Sequence, residues 1–165
     1  MVTRLHGHQP FAAKHQTLHY SGRPPTYAQH ESFPMNENQQ LPCGREPTLR
    51  IQPRPADVNM HGDIFGGWIM AQVDMAGGIA AARRAKGRVA TVAVKEFVFK
   101  HPVFVGDVLT LYADVVRVGN SSITVQVEVF AERGIPDTQV YRVTEATLTF
   151  VAVDLNRKPR QVPQP

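Results

Sequence analysis

Apolar and polar positions along the chain fall into one long helical period followed by four long strand-like runs. From Gly67 to Ala85, residues Ile69, Met70, Val73, Gly77 and Ala80 recur at intervals of three and four, with few polar residues between them. That spacing predicts a helix buried on most sides. Arg83, Arg84, Lys86 and Arg88 then gather around Gly87, where cations complement the negative end of a helix dipole and mark its exit to solvent. After Gly87 the residue types change to Val, Thr, Tyr and Phe. Strands are predicted at Arg88–Lys100, Asp107–Val118, Ile123–Arg133 and Val140–Val153, punctuated by Pro102/Gly106, Gly119-Asn120 and Gly134/Pro136/Asp137. Upstream, Thr48–Gln52 is a short strand candidate, followed by a loop through Pro53 and Pro55 to Gly62. The simplest packing for this order is an α+β domain in which an antiparallel sheet wraps one central helix.

Composition narrows this to part of the chain. Residues 1–47 contain four branched aliphatic residues (Val2, Leu5, Leu18, Leu41) but six of the 13 prolines and five of the seven histidines. They read as a poorly structured extension; they lack the apolar core of a secretory signal, and Met35 is a possible alternative start. The folded unit is therefore expected at 48–160, with 161–165 as a short tail. Its fourteen Lys and Arg against eleven Asp and Glu leave a surplus too small and dispersed for a nucleic-acid footprint, though suited to a small polyanion. Cys43 is the only cysteine, which excludes an intrachain disulfide framework and a Cys-rich zinc site and fits a cytoplasmic setting. Ile64–Ala82 is almost long enough to cross a bilayer, but Gln72 and Asp74 at its centre make a buried helix the better reading than a membrane span.

Candidate chemistry concentrates in Asp57–Trp68 and the helix that follows. The pair Gly66-Gly67 opens the helix, where backbone N–H groups lack intrahelical partners and no side chain covers them, a ready site for a carbonyl oxygen gaining negative charge. The same glycines also serve a tight turn and close packing. Asp74 falls on the same helical face as Met70, Val73 and Gly77, a setting in which a carboxylate is either a general base or a structural acceptor. Asn59 in the preceding loop offers an amide that orients water or donates to an oxyanion, and His61 reads as an exposed loop residue. His15 and His19 stand four apart with no carboxylate near, so no metal site is expected.

Taken in order, Asn59-x-x-Gly62-x-x-x-Gly66-Gly67-Trp68-Ile69-Met70, Asp74, Gly87-Arg88-Val89, Val105-Gly106-Asp107, Thr144-Glu145-Ala146 and Phe150–Asp154 resemble the acyl-CoA thioesterases of the hotdog fold. The YciA-like branch, akin to the cytosolic acyl-CoA hydrolases, is the most similar, over roughly residues 47–160. The resemblance implies a helix wrapped by a curved sheet, edge-to-edge dimers that often assemble into hexamers, and an active site shared between two subunits. Asp74 of one subunit would activate water, and Asn59, Gly66 and Gly67 of the other would orient the thioester. It implies hydrolysis of acyl-CoA without metal or organic cofactor, CoA being part of substrate and product. CoA phosphates then call for cations at the entrance, for which Arg88, Lys100 and Arg117 are candidates, with Ser121 and Ser122 as hydroxyl donors. Trp68, Met70, Phe97, Phe99 and Phe104 would shape the acyl tunnel.

Two rivals carry less. A hotdog enoyl-CoA hydratase uses an Asp-x-Asn-Pro-x-His signature; Asp57-Val58-Asn59-Met60-His61 imitates it without the proline and one residue short, and leaves Asp74 unused. An acyl-CoA-binding regulator would need a DNA-binding module, and residues 1–47 show no helix-turn-helix pattern.

Overall fold

The computed structural model describes residues 39–164, so most of the expected N-terminal extension lies outside the described residues. The elements are β1 (Leu49–Ile51), a 3₁₀ turn (Pro55–Asp57), α1 (Gly66–Ala85), β2 (Val89–Phe99), β3 (Val108–Val118), β4 (Ser122–Arg133) and β5 (Gln139–Ala152). All five strands pair antiparallel in the order β1-β3-β4-β5-β2. The long helix packs against one face of that sheet, which is the hotdog arrangement.

Strand alternation fixes which residues meet the helix. Leu109, Leu111, Val125, Val127, Val129, Leu148 and Phe150 are fully buried beneath it. From the helix side come Ile69, Val73, Ala76, Gly77, Ala81 and Ala85, a stripe of mostly small side chains that brings the helix close to the sheet. Gly77 is the tightest point: a Cβ there would lie 2.9 Å from the Phe150 ring. Gly77→Ala gains about 1 kcal/mol of helix propensity, but overpacking costs up to about 3 kcal/mol against a ring that is itself buried and cannot yield. The expected result is a Tm several degrees lower, read by thermal unfolding. Gly78→Ala, whose Cβ would meet Phe150 only at 3.8 Å, should keep the propensity gain.

The helix does not have the burial predicted on most sides. Met70, Ala71, Asp74 and Met75 are exposed, because the sheet covers one face and none of the other described residues packs over the opposite one. Asp74 consequently shares a solvent-facing stripe with Met70, one turn away, and not the buried face of Val73 and Gly77. Strand β2 shows the same deficit. It pairs only with β5, so its second edge has no strand partner among the described residues, and Val92, Val94, Val98 and Phe99 along it are 41–57% exposed. Among the described residues, an apolar eleven-residue edge without a strand partner and an apolar helix face beside it form one uncovered surface.

Residues at both ends of the expected domain are tied into it. Arg45 reaches Glu128 at 2.8 Å, also pairs with Asp114, and lies over the Tyr112 ring. Val162 is buried and donates its N–H to the Asn120 carbonyl. Among the described residues, no helix is long and apolar enough to cross a membrane; of the stretch Ile64–Ala82, the residues from Gly66 onward lie in the helix packed on the sheet.

Candidate active site

The loop leading to the helix is held from three directions. Ile64 donates to the Val103 carbonyl (2.9 Å), Phe65 to the Asp57 carbonyl (3.0 Å), and Val58 bridges Ile64. Val103 is itself anchored: buried Asp107 receives two hydrogen bonds from Arg133 at 2.8 Å, and the Arg133 guanidinium also donates to the Pro102 carbonyl and lies over Phe104 and Tyr141. The entry angle of the helix is therefore set by the sheet.

Within that loop, the Asn59 side chain turns inward on its own segment. Its Oδ1 accepts from the N–H groups of His61 (2.8 Å) and Asp63 (3.2 Å), an Asx-type closure that commits the oxygen and leaves the amide NH₂ without an acceptor among the described residues. At the helix start, Trp68 and Ile69 already donate to the Phe65 carbonyl, whereas the N–H groups of Gly66 and Gly67 have no acceptor among the described residues. Gly66 is close-packed, with the Phe99 ring 3.1 Å from where a Cβ would be; above Gly67 there is nothing within 4 Å. The two glycines thus divide the roles the sequence left open, one for packing and one for access.

Asp74 lies further along the exposed stripe. Its Oδ1 accepts a 2.7 Å hydrogen bond from the Thr91 hydroxyl on β2, which orients the carboxylate and leaves Oδ2 without a hydrogen-bond donor among the described residues. Thr91 was not singled out in the sequence, where it is one more β-branched residue in a β-branched strand; only its pairing opposite Phe150 places it toward the helix. Asp74, Thr91 and Arg88 line one open groove with Met75, Gly78 and Ile79. A carboxylate, a hydroxyl that fixes it and a cation at the same groove suit water activation beside an anionic ligand.

Seven residues separate Gly67 from Asp74, about 10 Å along a helix rising 1.5 Å per residue. One thioester carbonyl cannot touch both within a single chain. Each chain carries an acceptor of protons at one place and donors for an oxyanion at another.

The other candidates divide. Ser121 and Ser122 lie at the end of the sheet nearest Arg88, where their carbonyls receive Ala152 N–H and Gly119 N–H. Trp68 is half-buried against the core at the helix start. Arg117 is exposed on β3 opposite Thr124 and does not line the groove. Lys100 departs from expectation: it follows the far end of β2 from Arg88 and is held at 2.8 Å by Glu145, whose pKa is lowered chiefly by that hydrogen bond, opposed by partial burial. Arg142 adds a second contact to Glu145 at 3.3 Å, so Lys100 belongs to a charge network on the sheet and not to the groove of its own chain. The hydratase-like segment does not assemble a dyad either. The Asp57 carboxylate accepts from the Arg54 N–H, and His61 is exposed. Among the described residues, no three His, Cys, Asp or Glu side chains cluster as metal ligands.

Comparison with known proteins bears on the family and the fold. A model of the thioesterase superfamily matches residues 61–136. An uncharacterized acyl-CoA thioester hydrolase of Haemophilus influenzae is 48% identical over 118 residues, covering 70% of this chain and 77% of the relative. The acyl-CoA thioester hydrolase YciA of Escherichia coli K12 is 44% identical over 131 residues, 78% of this chain and 98% of that protein. Among solved structures, a hexameric hotdog fold thioesterase of Campylobacter jejuni superposes with a TM-score of 0.70 at 45% identity, covering 72% of this chain and 91% of that one.

Proposed function

The chain belongs to the YciA-like acyl-CoA thioester hydrolases of the thioesterase superfamily, and from that premise we propose that it hydrolyses acyl-CoA to a free acid and CoA at sites shared between two copies. One observation carries the mechanism: the proton acceptor Asp74 and the donors at Gly66 and Gly67 are separated along one helix, beside a sheet edge that has no strand partner among the described residues. Antiparallel pairing of two β2 edges about their midpoint at Val94 sets Thr91 of one copy across from Phe97 of the other. Asp74, midway along one helix, then faces the Gly66 end of the second, and the exposed Val, Phe and Met side chains are covered. Dimerisation also dries the site, which strengthens every polar contact in it.

In this reading Asp74, oriented by Thr91, takes a proton from water through Oδ2. The resulting hydroxide attacks the thioester carbonyl carbon. Negative charge on the carbonyl oxygen is received by the Gly67 N–H and the Asn59 amide of the second copy, with Gly66 packed under Phe99 to hold the turn. As the C–S bond breaks, the proton held by Asp74 passes to the CoA sulfur. The chemistry needs no cofactor beyond the CoA carried by the substrate. Arg88, with Ser121 and Ser122 at the same end, receives the CoA phosphates; Arg117 and Lys100 reach them only from a neighbouring copy. We extend the assembly to a hexamer of three such dimers, assign the catalytic unit to residues 48–160, and place the enzyme in the cytoplasm on its cysteine usage.

Saturated acyl-CoAs of increasing length should each release one free thiol per thioester consumed, followed with a thiol reagent. Loss of enoyl-CoA absorbance without thiol release, together with inert saturated substrates, would establish a hydratase instead.

A further inference from the structure

Downstream of β5 the chain forms a small hairpin whose contacts converge on the far end of the helix. Val153 bridges Pro159, and the Asp154 carboxylate closes the turn by accepting the N–H groups of Asn156 and Lys158 at 2.8 Å. Arg160 then returns to the sheet, its N–H donating to the Ala152 carbonyl at 2.8 Å. Its guanidinium has no carboxylate partner among the described residues. It donates to three backbone carbonyls: Ala85 through Nη2 at 2.8 Å, Val153 through Nε at 3.2 Å and Gln161 through Nη1 at 3.2 Å.

The Ala85 carbonyl is one of the last in the helix, where acceptors lack intrahelical donors and a cation is favoured. Helix exit follows at once: Lys86 adopts a left-handed conformation with its N–H on the Arg83 carbonyl, and Gly87 donates to Ala82. Arg160 lies directly on this exit, since a Cβ at Gly87 would be 2.7 Å from its Nη2. On the other side, Val153 N–H holds the Arg88 carbonyl at 3.0 Å. The hairpin thus grips both sides of the Gly87-Arg88 link, by a side chain on one and backbone on the other. Arg88 is the cation that lines the Asp74 groove.

We propose that Arg160 is a positioning residue for CoA: by filling the helix exit and packing on Gly87, it sets where Arg88 presents its charge to the phosphates. A guanidinium is suited to this because its planar fork reaches several carbonyls at once, which an ammonium cannot. The inference rests on the reading of Arg88 as a phosphate contact, and the two are separable by experiment.

Steady-state kinetics of Arg160→Gln, Arg160→Lys, Arg88→Gln and the Arg160→Gln/Arg88→Gln double variant are measured with an acyl-CoA and with the corresponding acyl-pantetheine, which lacks the nucleotide phosphates. Arg160→Gln should raise KM for acyl-CoA about tenfold, the equivalent of about 1.4 kcal/mol, with kcat within about twofold. KM for acyl-pantetheine should be unchanged, and Arg160→Lys should be intermediate. Because Arg160 acts through Arg88, the double variant should be no worse than Arg88→Gln alone. Equal losses on both substrates, or additive losses in the double variant, would reduce Arg160 to a structural cap. Arg88→Gln raising KM while Arg160→Gln is silent would overturn this inference alone; an unaffected KM in Arg88→Gln would overturn the phosphate reading beneath it.

Discussion

Asp74→Asn should lower kcat by about 10²–10⁴-fold, the contribution of a positioned general base, while leaving the oligomer and its thermal unfolding unchanged. The substitution is chosen for what it keeps. An asparagine oxygen still accepts the Thr91 hydroxyl, so the 2.7 Å contact that orients the side chain survives. Asp74 is exposed in the single chain and takes no part in the core, so little stability is at stake. What is lost is the capacity to take a proton from water. KM should move little, because in the proposed mechanism Asp74 acts on the attacking water and not on the CoA moiety. Steady-state kinetics with free-thiol detection, beside size-exclusion chromatography, give both readouts. A variant with wild-type kcat would remove Asp74 from the mechanism and with it the shared site.

Most of the fold was legible in the sequence because its signals are local. The predicted helix starts one residue late, at Gly67 against Gly66, and ends correctly at Ala85; the four long strands agree within one or two residues. Valine-rich alternation and glycine turns decide such elements before any tertiary contact forms. Burial was less legible. A helix carrying Ile69, Met70, Val73 and Met75 looks apolar all round, and only the sheet topology shows that one face is left uncovered among the described residues.

Site chemistry followed the same division. Asn59, Gly66, Gly67 and Asp74 stood out because each is an unusual residue in its local setting. Thr91 did not, since its role depends on a cross-strand partner and on a helix seventeen positions earlier. Lys100 shows the converse case. Its charge is visible in the sequence, but Glu145, the group that engages it, lies 45 residues away and becomes a neighbour only when β2 and β5 pair. Long-range pairing is where a cation's availability is decided, and no local pattern records it.

Asn59→Asp tests the other half of the site. The new carboxylate keeps an acceptor for His61 and Asp63 N–H, so the loop closure is retained, while the NH₂ donor is replaced by a negative oxygen. Loss of one oxyanion donor lowers kcat by about 10²–10³-fold, and the added charge opposes the developing oxyanion further. The decisive result comes from combining the two defects. In a shared site, a dimer formed from one Asp74→Asn chain and one Asn59→Asp chain has one site with both lesions and one with neither. Co-expressed in equal amounts and assembled at random, half the dimers are mixed, so about one quarter of wild-type turnover should return, although each variant alone is nearly inactive. Two separately expressed enzymes mixed after assembly should stay inactive until their subunits exchange. If each chain held a complete site, no mixture would exceed the average of its inactive parents, and the helix spacing of Gly67 and Asp74 would need a different explanation.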